Sequence, residues 1–346
     1  MREFLASLCI AASLLPASAQ TPAEFYKGKT VYFIVGSDVG GGNDAYNKLV
    51  TRHIGRYIPG NPSVVAQNMP GASGLTVMNH VANVAAKDGT VVGATQQATP
   101  LEPLLGGKES RGKFDALKLH WIGSPNRFTA IAFSWHTSPV KTAADLLTQE
   151  LLVGATGASP TGSGISDAYL AANLLGFKYR VVRGYPSATA VDLAIERGEL
   201  QGRTVAGWQG LNTRGNSWLA EKRINMLYQL GLEAHATIPA SVPLLQTFAK
   251  NAEDRAIIDL KYAPYSLGYP NFMPEAAPAD RVQAIRTAFA AVLRDAQLVQ
   301  DAEKTGIELD PVSSDEMTAI IRKAYGSTPA MLDRLATLTR PPEDAK

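Results

Sequence analysis

Three glycine-rich segments of the sequence could bind a small anion through main-chain N–H groups. They span residues 37–43, 71–74 and 157–164, and each follows a predicted strand and precedes a predicted helix. Free N–H groups and the positive end of a helix both favour negative charge at such a loop. Each segment alone is equally compatible with ordinary turn chemistry. Three in matching positions on two units predict capture of a small anion between two lobes.

The same segments do not match nucleotide-binding motifs. The P-loop pattern ends in Gly-Lys-Ser/Thr, and none of the three contains a lysine. The dinucleotide fingerprint G-x-G-x-x-G also fails, because Gly36 and Gly40 are four residues apart. No cofactor is therefore expected.

Charged residues near the loops allow more than one interpretation. Asp44 could cap the helix that follows the first loop, or it could contact a ligand. Asp38 lies inside that loop and would repel a carboxylate unless it turns outward. Arg183 and Arg203 fall next to predicted strand ends, where either could neutralise a second negative group on the ligand. Three aromatic residues could line a pocket or belong to the core: Tyr185, Trp208 and Tyr269.

Patterns for catalysis and metal binding are weak. No two of the five histidines have metal-ligand spacing on one helix, and the motifs G-x-S-x-G and H-E-x-x-H do not occur. The single cysteine, Cys9, excludes a disulfide framework within the chain. No catalytic residue and no metal ligand is predicted, and the protein is not expected to be an enzyme. The alternative is an exported two-lobed α/β enzyme, such as a transferase, whose best acid–base pair would be Asp38 with His53.

The elements that must position the loops alternate between strands and helices. Strands are predicted at residues 30–35, 63–67 and 90–95, with one helix after each of the first two. The first helix is expected to be capped by Asn43 or Asp44. This βαβαβ order predicts a parallel sheet covered by helices.

A second unit follows a similar plan. Strands are predicted at residues 151–156, 179–182 and 200–205, with a helix over residues 165–175. The last third of the chain is more helical. The predicted fold class is therefore α/β, with two units in one chain.

Composition limits the possible partners. The 346 residues have room for two or three domains, and 45% hydrophobic with 18% charged residues indicate a globular chain. The formal net charge of +2 provides no field that would hold a polyanion, so nucleic acid is not expected as a partner.

The amino terminus has the pattern of an export signal. Arg2 precedes an apolar run over residues 4–15, and Ala17-Ser18-Ala19 places small residues before a cleavage site after Ala19. The run is too short to cross a bilayer core of roughly 30 Å, so a cleaved signal peptide over residues 1–19 is predicted.

Several stretches together resemble the substrate-binding receptors of tripartite tricarboxylate transporters, also called the Bug receptor family. The similarity runs over almost the whole mature chain. The matching stretches are Phe25-Tyr26-Lys27-Gly28-Lys29-Thr30-Val31, Val35-Gly36 with Gly40-Gly41-Gly42-Asn43-Asp44, Gln67-Asn68-Met69-Pro70-Gly71-Ala72-Ser73-Gly74, Ala86-Lys87-Asp88-Gly89-Thr90-Val91-Val92-Gly93, Ser138-Pro139-Val140-Lys141-Thr142 and Ile195-Glu196-Arg197-Gly198-Glu199-Leu200.

The resemblance implies a type II-like, two-lobed periplasmic binding protein in which each lobe is a mostly parallel sheet flanked by helices. Residues 25–127 plus 226–346 would form one lobe and residues 128–225 the other. The first lobe would hold a carboxylate through main-chain N–H groups and bridging waters, and the second would select the rest of the ligand. Asp44 matches an aspartate that meets a ligand's amino group in some members. Ser37-Asp38-Val39 departs from the family pattern, where the segment is more apolar and contains proline.

The ligand-binding residues implied by these matches come from four loops. They are Ser37, Gly40, Gly41, Gly42, Asp44, Ala72, Ser73, Gly74, Thr156, Gly157, Ser159, Thr161, Gly162, Ser163, Arg183 and Tyr185.

The same resemblance implies the partners. The ligand would be a di- or tricarboxylate or another small carboxylate, and the receptor, a periplasmic monomer, would deliver it to a permease with one large and one small integral membrane subunit. A receptor that presents the ligand to a membrane signalling partner is the alternative within this class.

Overall fold

The computed structural model describes residues 20–156, 164–213 and 217–341. The predicted signal peptide lies outside these ranges. The described strands are β1 (Thr30–Val35), β2 (Ser63–Asn68), β3 (Val91–Ala94), β4 (His120–Ser124), β5 (Ala130–Trp135), β6 (Leu151–Thr156), β7 (Tyr179–Tyr185), β8 (Gly202–Gly207), β9 (Ile224–Leu230), β10 (Asn271–Met273) and β11 (Val312–Ser313).

Helices connect these strands and cover the sheets. The described helices are α1 (Pro22–Tyr26), α2 (Gly42–Ile54), α3 (Leu75–Asn83), α4 (Glu102–Leu105), α5 (Ile165–Leu170), α6 (Ala188–Glu196), α7 (Trp208–Thr213), α8 (Ser217–Ala220), α9 (Ala252–Tyr262), α10 (Ala279–Val292), α11 (Ala296–Thr305), α12 (Ser314–Tyr325) and α13 (Pro329–Leu338). None of these helices is long and apolar enough to cross a membrane.

Two mixed sheets form the two lobes. The first has the strand order β11-β4-β10-β3-β1-β2, and β1 runs parallel to both β2 and β3, as the βαβαβ order predicts. Its remaining strands, β4, β10 and β11, pair antiparallel to their neighbours. The carboxyl ends of β1, β2 and β3 therefore lie at one edge of this sheet, where the loops to α2 and α3 begin.

The second sheet has the order β7-β6-β8-β5-β9. Its β6 runs parallel to β7 and β8, whereas β5 pairs antiparallel with β8 and β9. The chain passes from the first sheet to the second between β4 and β5, and it returns between β9 and β10. The lobe boundary predicted at residues 225 and 226 falls within β9.

Apolar packing continues from one lobe into the other. A single cluster of buried residues contains Met78 and Trp121 beside the first sheet, Leu151 and Leu174 in the second lobe, and Tyr262 on α9. A second cluster lies between the first sheet and α10, and a third packs α6 against the second sheet. The hydrophobic effect thus stabilises the packing of the two lobes against each other as well as each sheet.

Most predicted elements are present, with two local differences. The α2 N-cap is Gly41, not Asn43 or Asp44, because glycine occupies the extended cap position and both polar residues lie inside the first turn. The strand predicted at residues 179–182 continues to Tyr185, since Thr156 of β6 pairs with Tyr185 across an irregularity in the ladder.

Candidate functional site

The first two glycine-rich loops meet at the carboxyl edge of the first sheet. Asn68, the last residue of β2, donates from Nδ2 to the Ser37 carbonyl at 3.0 Å and to Asp44 Oδ1 at 2.8 Å. The two loops also touch behind this contact, where a Cβ on Gly36 would lie 2.9 Å from Gly74 Cα. Tertiary structure therefore brings together the residues predicted in both loops.

The second loop has an unusual backbone. Gly71, Ala72, Ser73 and Gly74 all have positive φ angles, of 140°, 45°, 53° and 89°. Non-glycine residues rarely occupy this region, and such conformations cluster at binding and catalytic sites. The turn is held by the Thr99 hydroxyl, which donates to the Ser73 carbonyl at 2.8 Å. Strain maintained in this way supports a functional role for the loop.

The first loop carries an unpartnered hydroxyl. Ser37 Oγ is buried and has no hydrogen-bond partner among the described residues. Buried polar atoms in native proteins are usually paired, so this hydroxyl has the capacity to bond to a ligand at the loop. Beside it, the first N–H groups of α2 precede the helical hydrogen-bonding pattern. Ser37 and the start of α2 can therefore donate together to an anion.

Both carboxylate oxygens of Asp44 are hydrogen-bonded within the protein. It is 1% exposed; its Oδ2 accepts from the Gly40 N–H and from Lys48 Nζ, each at 2.8 Å, and its Oδ1 accepts from Asn68. Burial raises the pKa of this carboxyl, but the bonds from Lys48, Gly40 and Asn68 outweigh burial and leave the pKa below its ordinary 3.8. In this arrangement Asp44 holds the first loop onto α2 and β2.

Two aromatic residues, Tyr46 and Tyr269, pack beside the first loop and form a wall of the site. The rings of Tyr46 and Tyr269 lie 5.3 Å apart, and a Cβ on Gly42 would collide with the Tyr269 hydroxyl. Burial raises the pKa of both tyrosines above the ordinary 10.0, so both hydroxyls stay protonated at physiological pH. A glycine at position 42 is required for this close approach.

The two lobes touch through polar groups at this wall. Gln209 of α7 donates from Nε2 to the Tyr46 hydroxyl at 2.5 Å, and that hydroxyl donates to the Glu308 carbonyl at 2.7 Å. Glu308 also pairs with His235 Nε2 at 3.2 Å. A small cavity, of about 20 Å³, lies between these groups where the lobes are in contact.

The second lobe has its own cavity, of about 170 Å³, at the carboxyl ends of β6 and β8. Its lining includes Thr156, one of the residues predicted to bind the ligand, and also Arg203 and Thr204. Phe128 lines both this cavity and the small one between the lobes. A cavity of about 150 Å³ between α9, α12 and α13 contains none of the predicted site residues.

Other predicted residues are placed differently. Arg183 and Tyr185 lie in β7, the edge strand of the second sheet, so Arg183 is not in a loop as expected and its side chain is exposed. Tyr185 packs against the cluster around α6. The loop residues Gly157, Ser159, Thr161, Gly162 and Ser163 lie outside the described residues.

The alternative acid–base pair is not assembled. His53 lies at the far end of α2 and contacts Asp301 through Nε2 at 3.0 Å. Asp38 precedes the helix and is exposed. The eleven steps of 1.5 Å from residue 42 to residue 53 separate them by roughly 16 Å along the helix axis.

Sequence reasoning missed Tyr46, Gln209 and Glu308. The sequence predicts Tyr46 only as part of the helix after the first loop, and nothing near Gln209 or Glu308 has a motif. The available signal was the position of Tyr46 one turn after the glycine-rich loop.

Several solved protein structures have a fold similar to that of this chain. A TctC solute binding protein from Polaromonas has a TM-score of 0.70 at 16% identity, covering 90% of this chain and 99% of that chain. The periplasmic binding protein BugD has a TM-score of 0.57 at 14% identity, with coverage of 90% and 98%. MatC from Rhodopseudomonas palustris, solved with bound malate, has a TM-score of 0.55 at 16% identity, with coverage of 90% and 99%.

No protein-family model matches the sequence, and no curated protein is significantly similar to it. The structural likeness shows the fold: a two-lobed α/β architecture shared with periplasmic solute-binding proteins. The predicted fold class is therefore confirmed, and so is the predicted resemblance at the level of the fold.

Proposed function

We propose that this protein is a periplasmic receptor that binds a small organic acid anion between its lobes and delivers it to a tripartite tricarboxylate-type permease. In this proposal it is exported by cleavage after Ala19, works as a monomer without catalysis, and meets one large and one small membrane subunit. The lobes comprise residues 25–127 plus 226–346 and residues 128–225. Support comes from the fold shared with periplasmic binding proteins, one of which is solved with malate.

The observation that carries the proposal is the meeting of two glycine-rich loops beside an unpartnered serine. Ser37 Oγ, the start of α2 and the positive-φ turn at residues 71–74 all lie at one sheet edge. Hydrogen-bond donors without a compensating acceptor favour a bound anion, and a carboxylate accepts several such bonds at once. In the receptor, Gly40, Gly41 and Gly42 let the ligand approach the main chain.

The test is thermal unfolding of the protein from Gln20 onward against dicarboxylates, tricarboxylates, amino acids and aromatic acids, after unfolding and refolding to remove any bound ligand. A ligand at one hundred times its dissociation constant adds about 2.7 kcal/mol to the free energy of unfolding. A stabilisation confined to one class of acid is expected. Folded protein that no carboxylate stabilises would refute the proposal.

Gly41→Val provides the site-directed arm of this test. The added side chain would block access to the main-chain donors. Its Cβ would lie 3.3 Å from the Asp38 carbonyl oxygen. We expect calorimetry to show at least tenfold weaker binding of the stabilising acid, with the folded circular dichroism spectrum retained. Gly210→Ala is the control, because a Cβ there meets open space. Unchanged affinity in Gly41→Val would remove the first loop from the site.

A further inference from the structure

Arg203 is the only charged residue among the described residues that line the cavity of the second lobe. The rest of that lining is apolar or carries hydroxyl groups, with Phe128 and Val191 among the apolar side chains. The neighbouring segment 157–163 contains no lysine or arginine in its sequence. The cavity of about 170 Å³ far exceeds the ~10–15 Å³ that a single water needs.

The Arg203 side chain is oriented by one hydrogen bond and uses only part of its donor capacity. Its Nη1 donates to Asp192 Oδ1 at 2.8 Å, and its side chain is 17% exposed. A guanidinium has five N–H donors in a rigid fork, and within the described part of the chain this is the one hydrogen bond that the Arg203 side chain makes. Asp192, on α6, thus orients the guanidinium through one of its donors and leaves the others for a ligand.

We propose that Arg203 determines specificity by binding the second carboxylate of an α,ω-dicarboxylate, while the first carboxylate lies at the glycine-rich loops of the other lobe. This inference rests on the proposed function. A guanidinium binds a carboxylate through two parallel hydrogen bonds, which a hydroxyl or an apolar group cannot accept. The apolar lining suits a hydrocarbon chain between the two acid groups, and one cation matches one distal carboxylate.

The position of Arg203 distinguishes it from Arg183. Arg203 belongs to β8, an interior strand of the second sheet, and its side chain is mostly buried at the cavity. Arg183 is exposed on the edge strand and does not line the cavity. The two arginines therefore provide a matched pair of variants in the same lobe.

The experiment compares acids of equal length by calorimetry: succinate with butyrate, glutarate with pentanoate, and adipate with hexanoate. The wild-type protein is expected to prefer the dicarboxylate of at least one pair. Arg203→Gln should weaken binding of that dicarboxylate by about ten- to hundredfold, while binding of the monocarboxylate changes by less than about threefold. Arg183→Gln should leave both affinities unchanged.

The outcomes separate the two proposals. If the wild-type protein binds none of the acids in the broader panel, the proposed function fails. If it binds acids but Arg203→Gln keeps the wild-type preference for the dicarboxylate, or if the wild-type protein prefers monocarboxylates, the role of Arg203 is refuted and the receptor function stands. Should Arg203→Gln not fold, Arg203→Lys carries the test. Lysine keeps the charge but loses the planar fork, so a loss of about three- to tenfold in the dicarboxylate preference is expected.

Discussion

At the residue scale, Asp44 shows how a buried charge organises the first glycine-rich loop. Its carboxylate joins Gly40, Lys48 and Asn68, so it connects the first loop, α2 and β2 in one cluster. These three donors compensate for the loss of water around the charge. With both oxygens already engaged, Asp44 is better placed to shape the loop than to bind the amino group of a ligand.

Asp44→Asn should therefore lower stability in a pH-dependent way. The pKa of Asp44 is lower in the folded protein than its ordinary 3.8, so the ionised carboxylate stabilises the fold above that pH. This contribution is lost as pH falls through the folded-state pKa. We expect the variant to lose about 1–2 kcal/mol in the free energy of unfolding at pH 7, and the difference to shrink below pH 3.8.

Urea unfolding of both proteins between pH 7 and pH 3 measures this difference. Asp38→Asn is the control, because its exposed side chain should change stability by less than about 0.5 kcal/mol. A difference for Asp44→Asn that stays constant over this pH range would contradict the stabilising role of the charge.

At the element scale, the turn between β2 and α3 determines how the second loop meets the first. Gly74 has a φ of 89° and caps α3, and the Thr95 hydroxyl of the segment after β3 donates to its carbonyl at 3.2 Å. A Cβ at Gly74 would collide with this hydroxyl and lie 3.1 Å from the Gln96 nitrogen. Both the backbone conformation and the available space thus require glycine.

Gly74→Ala is expected to reduce the free energy of unfolding by about 1–3 kcal/mol, because alanine is disfavoured at positive φ and the added carbon overlaps Thr95. Equilibrium denaturation measures the loss. The matched Gly210→Ala change, in α7 with open space around it, should leave stability the same or raise it by up to about 1 kcal/mol. Equal stability of the Gly74→Ala and wild-type proteins would argue against a strained turn.

At the scale of the whole molecule, Tyr46 connects the two lobes. Its hydroxyl accepts from Gln209 of α7 and donates to the Glu308 carbonyl, while its ring packs against Tyr269. The helix that follows the first glycine-rich loop is thereby connected to the helix that follows β8, the strand of Arg203. We therefore expect closure of the lobes and completion of the proposed site to be coupled through this contact.

Tyr46→Phe should shift the protein toward an open form, because it deletes both hydrogen bonds and keeps the ring. A net loss of about 1 kcal/mol corresponds to roughly three- to tenfold weaker ligand affinity. Small-angle scattering should show a larger radius of gyration for the variant without ligand.

In the control, Tyr325→Phe, the lost bond to the Pro100 carbonyl is in the first lobe, so affinity should not change. Similar affinities in both variants would exclude a role for Tyr46 in closure.

The sequence by itself determined the local features of this protein. The apolar runs predicted β1, β2 and β3 to within about a residue, and the glycine clusters marked the loops that turn between strand and helix. These features depend on neighbours in the chain: side-chain periodicity determines strand or helix, and glycine supplies the positive φ angles that a tight turn requires.

Only the tertiary structure decided which distant groups meet. Gln209 and Tyr46 are 163 residues apart, and their contact depends on how the two sheets are placed against each other. The different environments of Arg203 and Arg183 follow from strand order, since β8 is an interior strand whose residues line the cavity and β7 forms the edge of the sheet. Strand order and lobe placement are set by long-range packing of the shared apolar core, which short sequence patterns do not encode.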